Sequence, residues 1–329
     1  MGMARRIGFS ASVSDIPLFQ PVHQPVLLRE AVEQLAVRSG WVCVDATAGE
    51  GGHSLALLQA SAPLGRVLGI DRDPRSLSRA EARLSQFGDR FIPVQGTYAD
   101  MDQLAQGANI AQVDGVLLDL GLSSWQLEAA GAGFSFQRDE PLDMRFDPNG
   151  TGPDAAELVN TLSEDELRKL LFQYGEEPRA RTIARTLVQA RQGNPIRTTG
   201  RLVELLRAIP GLGRGRRTHP ATRTFQALRI AVNDELTNLE AGIKAAIGLL
   251  KPEGRLVVIG YHSLEDRLVK QTLAYQATNC ICPAQIPVCV CNHQATIRII
   301  NRRIIRPAPE EVAANPRSRS ARMRVAEKL

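Results

Sequence analysis

Three apolar runs in this 329-residue chain end on, or next to, a side chain able to do chemistry: "RVLGID" on Asp71, "VDGVLLD" on Asp119, and "RLVVIGY" just before His262. A fourth run opens "WVCVDATAGEGGHS", a glycine-rich loop carrying Gly49, Gly51, Gly52 and His53. Glycines there let a ligand approach the backbone, and a carboxylate about twenty residues on, here Asp71, is placed to accept ribose hydroxyls. The chemistry on offer is the binding of a nucleotide or nucleoside. A phosphate loop needs G-x-x-x-x-G-K-[S/T], and the lysine is missing. A dinucleotide site wants G-x-G-x-x-G, which Gly49, Gly51 and Gly52 match only in part. A methyl donor such as S-adenosylmethionine has no pyrophosphate and needs no cationic clamp. The loop offers Glu50 and His53 and neither Lys nor Arg, which favours the methyl donor. A tight turn with no ligand is the bland alternative, and the joint pattern with Asp71 and Asp119 weighs against it.

These residues need a frame to bring them together. Val26, Leu27, Ala31, Val32 and Leu35 fall on one helical face; Trp41–Asp45 reads as a strand, and a helix with Leu55, Leu57 and Leu58 starts near Gly52. Strand Arg66–Ile70, an Ala- and Arg-rich helix over 74–87, and strands at "RFIPVQG" and "VDGVLLDLG" follow. Such alternation predicts parallel strands joined by helical crossovers. It breaks after Ser124. Residues 125–150 read as loop and 154–209 as helices only, with a capping box at Ser163 and Glu166. After the loop "GLGRGRRTHP", a single long helix is expected to carry Phe225, Leu228, Val232, Leu236 and Leu239. "KPEG" then makes a turn, and a fifth strand spans 255–261. The fold class predicted is α/β: a Rossmann-like, mostly parallel twisted sheet with an inserted all-helical domain. Ligands of such sheets bind at the carboxyl ends of the strands, where Asp71, Asp119 and the glycine loop would meet.

Composition narrows the class further. Apolar residues make up 43% of the chain, enough for a sizeable core, and charged residues 23%, too balanced for global disorder. The net charge is +5, and only five of the 40 basic residues are Lys. Arginine suits phosphate through its planar fork, although an arginine-rich codon bias would give the same count. No run approaches a membrane span, and Arg5-Arg6 is not followed by a signal-type apolar stretch. A cytoplasmic protein with a disordered segment over 1–20 is expected.

At "DLGLSS" the sequence resembles the MraW-type family of methyltransferases acting on small-subunit ribosomal RNA. The matching stretches are "HQPVLL", "DATAGEGGHS", "IDRDP", "DLGLSS" with Trp125 and Gln126, "GFSFQRDEPLDMR", "RTFQALRIAVNDEL", "YHSLEDR" and "NPRSRSARMRV", spanning residues 23–325. The resemblance implies methylation of the N4 amino group of a cytidine in the decoding region of small-subunit (16S) ribosomal RNA, with S-adenosyl-L-methionine as cofactor. The substrate is the free RNA or the assembled 30S subunit, and monomer and dimer stay open. It implies a discontinuous methyltransferase domain, 21–125 and 220–329, with a helical substrate-recognition domain inserted over 126–219. The implied cofactor contacts are Gly51, Gly52, His53, Asp71, Tyr98, Asp119 and Gln126. Tyr98 stands where many members have Phe, and Trp125 where some have Pro.

A cytosine amine is a poor nucleophile because its lone pair is delocalised, so an acceptor must draw on its N–H bonds. Asp119, or the carbonyls of its loop, fits that role; holding cofactor only is the alternative. His262, with Glu265, is the second catalytic candidate, against a capping role in which Ser263 caps the next helix and Asp266 sits three residues on. A base is reached by extrusion, and Phe134, Phe136 and Tyr261 are candidate stacking rings. Asp143 and Arg145 form an internal pair or meet substrate. Arg214, Arg216 and Arg217, and Arg302 and Arg303 among eight arginines between 298 and 324, are candidate phosphate contacts. Cys280, Cys282, Cys289 and Cys291, spaced C-x-C-x6-C-x-C, can close a zinc site or remain reduced or redox-active thiols.

Overall fold

The computed structural model describes residues 25–122, 131–215, 219–283, 285 and 288–329. Gln126, Arg216 and Arg217, with Trp125 and the 1–20 segment, lie outside the described residues. The first half alternates as expected: α1 (Leu28–Leu35), β1 (Val42–Asp45), α2 (Gly52–Ala60), β2 (Arg66–Asp71), α3 (Pro74–Leu84), β3 (Phe91–Gln95), α4 (Met101–Gly107) and β4 (Val113–Asp119). Then come α5 (Ala155–Thr161), α6 (Glu164–Gly175), α7 (Ala180–Gly193), α8 (Thr199–Ala208), α9 (Thr222–Asn233) and α10 (Glu235–Leu249). The chain closes with β5 (Leu250–Gly260), α11 (Ser263–Gln276), β6 (Ile297–Ile299), α12 (Pro309–Ala314) and β7 (Arg322–Lys328).

The seven strands pair in the order β3-β2-β1-β4-β5-β7-β6. The first five run parallel, and β7 pairs antiparallel with both β5 and β6. This is the mostly parallel Rossmann-like sheet. Its inner strands are apolar on both faces because helices cover both. Val44, Leu68, Val116 and Val258 face α4 and α10; Cys43, Val67, Leu117 and Val257 face α1, α2 and α3. Strand order reverses between β1 and β4, so the crevice outside their carboxyl ends is the natural ligand site. Helices α5–α8 build a core of their own with Leu167, Ile183, Leu202 and Leu206, which also takes Phe225 and Leu228 from α9.

Three expectations need correction. The long helix after residue 220 is two helices, broken where Asp234 adopts φ 49°. Asn233, just before the break, donates from its side-chain amide to the Met144 carbonyl at 2.7 Å and accepts from the Phe146 amide at 2.9 Å. "KPEG" does not precede the fifth strand but lies within it, at a shift in register where Lys251 reaches Asp114 at 2.8 Å. Not all of the eight C-terminal arginines grouped as phosphate contacts are available for that role: β7 is an interior strand. Met323 and Val325 are buried, and Arg322 and Arg324 both bind Asp266, at 3.1 and 2.8 Å.

Candidate active site

The loop after β1 shows why glycine recurs there, and each glycine has a different reason. Gly51 caps α2 with φ 77°, and a Cβ there would stand 3.0 Å from Leu84 of α3. A Cβ on Gly52 would stand 2.4 Å from the Pro25 ring. Packing against neighbours therefore fixes these two. Gly49, which like Gly52 lines the cleft, has no atom closer than 4.0 Å to its Cβ position. Its amide donates to Asp71 Oδ2 at 2.8 Å, and the Asp73 amide donates to Oδ1 at 2.9 Å. These contacts orient the carboxylate at the end of β2. Burial raises the Asp71 carboxyl to about 6, against the pull of those two amides.

Asp119 ends β4 at the centre of the cleft. Its amide donates to Thr47 Oγ1 at 2.7 Å, tying the strand end to the glycine loop. Tyr261, at the end of β5, donates its hydroxyl to Asp119 Oδ1 at 2.7 Å, and His53 Nδ1 lies 3.7 Å from Oδ2. The other ring nitrogen of His53 is 3.2 Å from the Val26 carbonyl. A carbonyl only accepts, so that nitrogen carries the hydrogen and Nδ1 is left facing Asp119. Burial raises the Asp119 carboxyl above its ordinary value, against His53 and the tyrosine hydroxyl. Asp45, wholly buried behind the loop, accepts from Ser54 Oγ at 2.7 Å and is raised by burial as well.

The far wall comes from α9, α10 and α11. The break at Asp234 turns Glu235 back onto Arg229, which grips it with two hydrogen bonds of 2.7 and 2.8 Å. Glu265 accepts from the amides of Tyr261 and His262, at 2.6 and 3.1 Å. Burial pushes Glu265 upward, but His262, Arg229 and the Tyr261 amide together outweigh it, so the group is held below its ordinary value. Polar atoms of Glu235, His262 and Glu265 lie within 4.8 Å of one another. Arg229 already supplies the positive charge this cluster needs.

Gly52, His53, Asp71, Tyr98 and Asp119 thus line one cleft, joined by Gly49, Gly121, Phe146, Leu239 and Arg229. Gly51 sits behind the cleft, under α3. His262 is not among the lining residues. It caps α11, its ring accepting from the Glu265 amide at 3.4 Å while Glu265 reciprocates. Ser263 is therefore not the cap. Its hydroxyl donates to Glu176 instead, and Asp266 faces β7. Arg145 is bound to Asp143 by two hydrogen bonds of 2.9 and 2.8 Å and to the Gly150 carbonyl at 2.7 Å, so it staples its own loop. Phe134 stacks on Phe146 and Phe136 on His219, both within the helical core; of the three expected rings only Tyr261 lines the cleft. Arg214, Arg302 and Arg303 are exposed, away from the lining.

Sequence reasoning missed Asp45, Phe146 and the Arg229–Glu235 pair. Asp45 had a visible signal, a carboxylate on the last residue of β1. The pair had none, because only the helix break brings its members together. Arg72 and Arg83 also reach the cleft from outside the glycine loop. Arg72 donates to the Asn233 carbonyl at 2.9 Å and lies over the Phe146 ring. Arg83 donates to the Glu50 carbonyl at 3.4 Å.

The MraW methylase family matches residues 20–329. A protein of Thermomicrobium roseum named ribosomal RNA small subunit methyltransferase H is 53% identical over 307 residues, covering 93% of this chain and 94% of its own length. Proteins of the same name from Dehalococcoides mccartyi and Geobacter sulfurreducens are 50% and 49% identical. They cover 93% of this chain, and 86% and 99% of their own lengths.

Proposed function

Because the chain belongs to the MraW methylase family, we propose that it moves a methyl group from S-adenosylmethionine to the N4 amine of a cytidine in the decoding region of small-subunit ribosomal RNA. The observation that carries this reading is Asp119, a buttressed carboxylate at the end of β4 in the same cleft as Asp71 and the open face of Gly49.

The cleft suits S-adenosylmethionine by its donor set. Asp71, held by two amides, presents its carboxylate to ribose hydroxyls; Tyr98 offers a ring to the adenine; Gly49 leaves room at the backbone. Asp119, Glu235 and Glu265 add carboxylates to the same lining, where a cationic ligand would be favoured. When bound, S-adenosylmethionine supplies a methyl group activated by the adjoining sulfonium. Gln126 completes the proposed cofactor set.

The chain's own work is positioning and proton handling. Asp119 accepts a hydrogen bond from the target amine and localises its lone pair. On accepting the methyl group the amine nitrogen would gain charge and shed a proton, which Asp119 is placed to take. A carboxyl raised by burial holds that proton better than an exposed one. Tyr261 keeps Asp119 aimed, and in-line alignment supplies the rest of the rate. His262 acts through Glu265, as a positioning residue that fixes the end of β5.

The helical layer of α5–α8 is proposed as the RNA-facing unit, with Arg214, Arg216, Arg217, Arg302 and Arg303 as phosphate contacts and binding that weakens steeply with salt. Arg145 belongs to this face through its loop. The test incubates the protein with labelled S-adenosylmethionine and either naked small-subunit RNA or assembled subunits, then maps the modified nucleoside by mass spectrometry. N4-methylcytidine at one decoding-region position is expected. Label on another atom, or none on either substrate, overturns the assignment.

A further inference from the structure

Between the end of α11 at Gln276 and the start of β6 at Ile297 the chain makes an excursion with no regular structure among its described residues. Its base is pinned. The Thr296 amide donates to the Gln276 carbonyl at 2.8 Å, the Thr296 hydroxyl to the Gln276 side chain at 2.7 Å, and the Ala295 amide to Asn279 at 3.2 Å. His293 is already engaged, bound to the Tyr275 carbonyl at 3.0 Å with its ring against the Tyr275 ring. Beyond this base the described residues of the loop form no core. Ile281, Val288 and Val290 are 44%, 71% and 69% exposed.

Four sulfurs nevertheless converge at the tip. The Sγ atoms of Cys280, Cys282, Cys289 and Cys291 all lie within 4.8 Å of one another. Cys280–Cys289 and Cys289–Cys291 are 3.5 Å apart, and Cys280–Cys291 3.9 Å. All four are free thiols, and these separations are far from that of a disulfide, about 2.05 Å. They match a tetrahedron around zinc: with zinc–sulfur bonds of about 2.3 Å, sulfurs stand about 3.8 Å apart. The backbone is arranged for thiolates. The Ile281 amide donates to Cys291 Sγ and the Val290 amide to Cys282 Sγ, each at 3.4 Å, so each half of the loop donates to a sulfur of the other.

We infer that Cys280, Cys282, Cys289 and Cys291 form a closed structural zinc site that orders the 277–296 loop. Thiol contacts alone are weak, and the described apolar residues of the loop are exposed rather than packed around the four sulfurs. Four sulfur ligands at tetrahedral spacing select zinc or iron among the common metals. A site with four protein ligands leaves no open position for substrate, so its role is to fold the loop. The fifth cysteine, Cys43, is buried in β1 and takes no part.

The test uses the full-length protein purified without chelator or added metal. Elemental analysis should find about one zinc per chain, released stoichiometrically by a mercurial. Native protein should show no fast-reacting thiols, and zinc removal should expose four while speeding proteolysis within 277–296. Cys282→Ser and Cys289→Ser should each lose the metal. Less than about a tenth of an equivalent of zinc together with four reactive thiols, a disulfide found by mass, or iron in place of zinc would each overturn the assignment. The wild-type metal content decides the matter even if the variants fail to fold.

Discussion

The cleft gathers carboxylates and the cysteine loop gathers thiols, yet the two groups are held by different means. In the cleft, each carboxylate is fixed by partners that belong to the frame: Asp71 by the Gly49 and Asp73 amides, Asp119 by Tyr261, Glu265 by the amides of Tyr261 and His262. Those partners sit on strand ends whose order comes from a large buried core. The cysteines sit on a loop whose described apolar residues are exposed and form no core. The cleft is therefore built before its ligand arrives, while the loop needs its ligand to be built. Removing a cleft carboxylate should cost chemistry and spare stability; removing a cysteine should do the reverse.

The largest effect is expected at Asp119. Asp119→Asn keeps the shape but loses the charge and the proton-accepting oxygen, so kcat should fall by about 10²–10⁴-fold. Affinity for S-adenosylhomocysteine, measured by calorimetry, should change little, and the melting temperature should not drop, because a desolvated charge has been removed. The pH profile sharpens the point. The carboxyl is raised in the folded protein, so the active, ionised form is lost on acidification at a pH above the ordinary carboxylate value. The wild-type rate should fall there and the residual rate of the variant should not. Unchanged turnover in Asp119→Asn removes Asp119 from the chemistry.

Asp71 comes next. Asp71→Ala should weaken S-adenosylhomocysteine binding by about 10–100-fold, the value of hydrogen bonds to a charged acceptor. In the wild type the carboxylate titrates at about 6. Protonation turns one acceptor oxygen into a donor, so affinity should be full above that pH and decline below it. A flat affinity between pH 5 and 8 (on the order of a pK unit or more either side) would show that Asp71 does not contact the ligand.

Much of this cleft was legible because a parallel sheet writes its ligand site into sequence. Apolar runs give the strands, and the residue at the end of each run lands at one edge of the sheet; Asp71 and Asp119 follow from that alone. What was illegible depends on the path of the chain between elements. Asp234, a non-glycine residue with φ 49°, gives no local sign that α9 and α10 part there, so the meeting of Glu235 with Arg229 was hidden. The Phe134 and Phe136 rings were indistinguishable from stacking surfaces until a helical core closed over them. His262 and Ser263 are both adequate caps by type; tertiary contacts decide, since Glu176 takes the Ser263 hydroxyl. That Arg322 and Arg324 belong to an interior strand was hidden because their alternation with Met323 and Val325 was masked by charge on the other face.

Stability of the frame can be broken separately. Gly52→Ala sets a Cβ 2.4 Å from the Pro25 ring, an overpacking expected to cost about 1–3 kcal/mol. The melting temperature should fall, and a melting temperature equal to wild type would mean that the N-terminal turn yields freely and does not brace the loop.

The smallest effect tests the comparison itself. Cys291→Ser should leave S-adenosylhomocysteine affinity within about twofold of wild type, the margin expected for distant sites without shared partners. The reasoning is positional: none of the four cysteines lines the cleft, and the loop is pinned to the end of α11 farthest from Glu265, at Gln276. The cap at His262 and the hydrogen bonds of Glu265 lie at the start of the same helix and need nothing from its end. Calorimetry at matched protein folding, verified by circular dichroism, makes the measurement. A tenfold loss of affinity would mean that order in the loop propagates through α11 to the cleft. The two regions would then be one cooperative unit, not one rigid site beside one that folds around its metal.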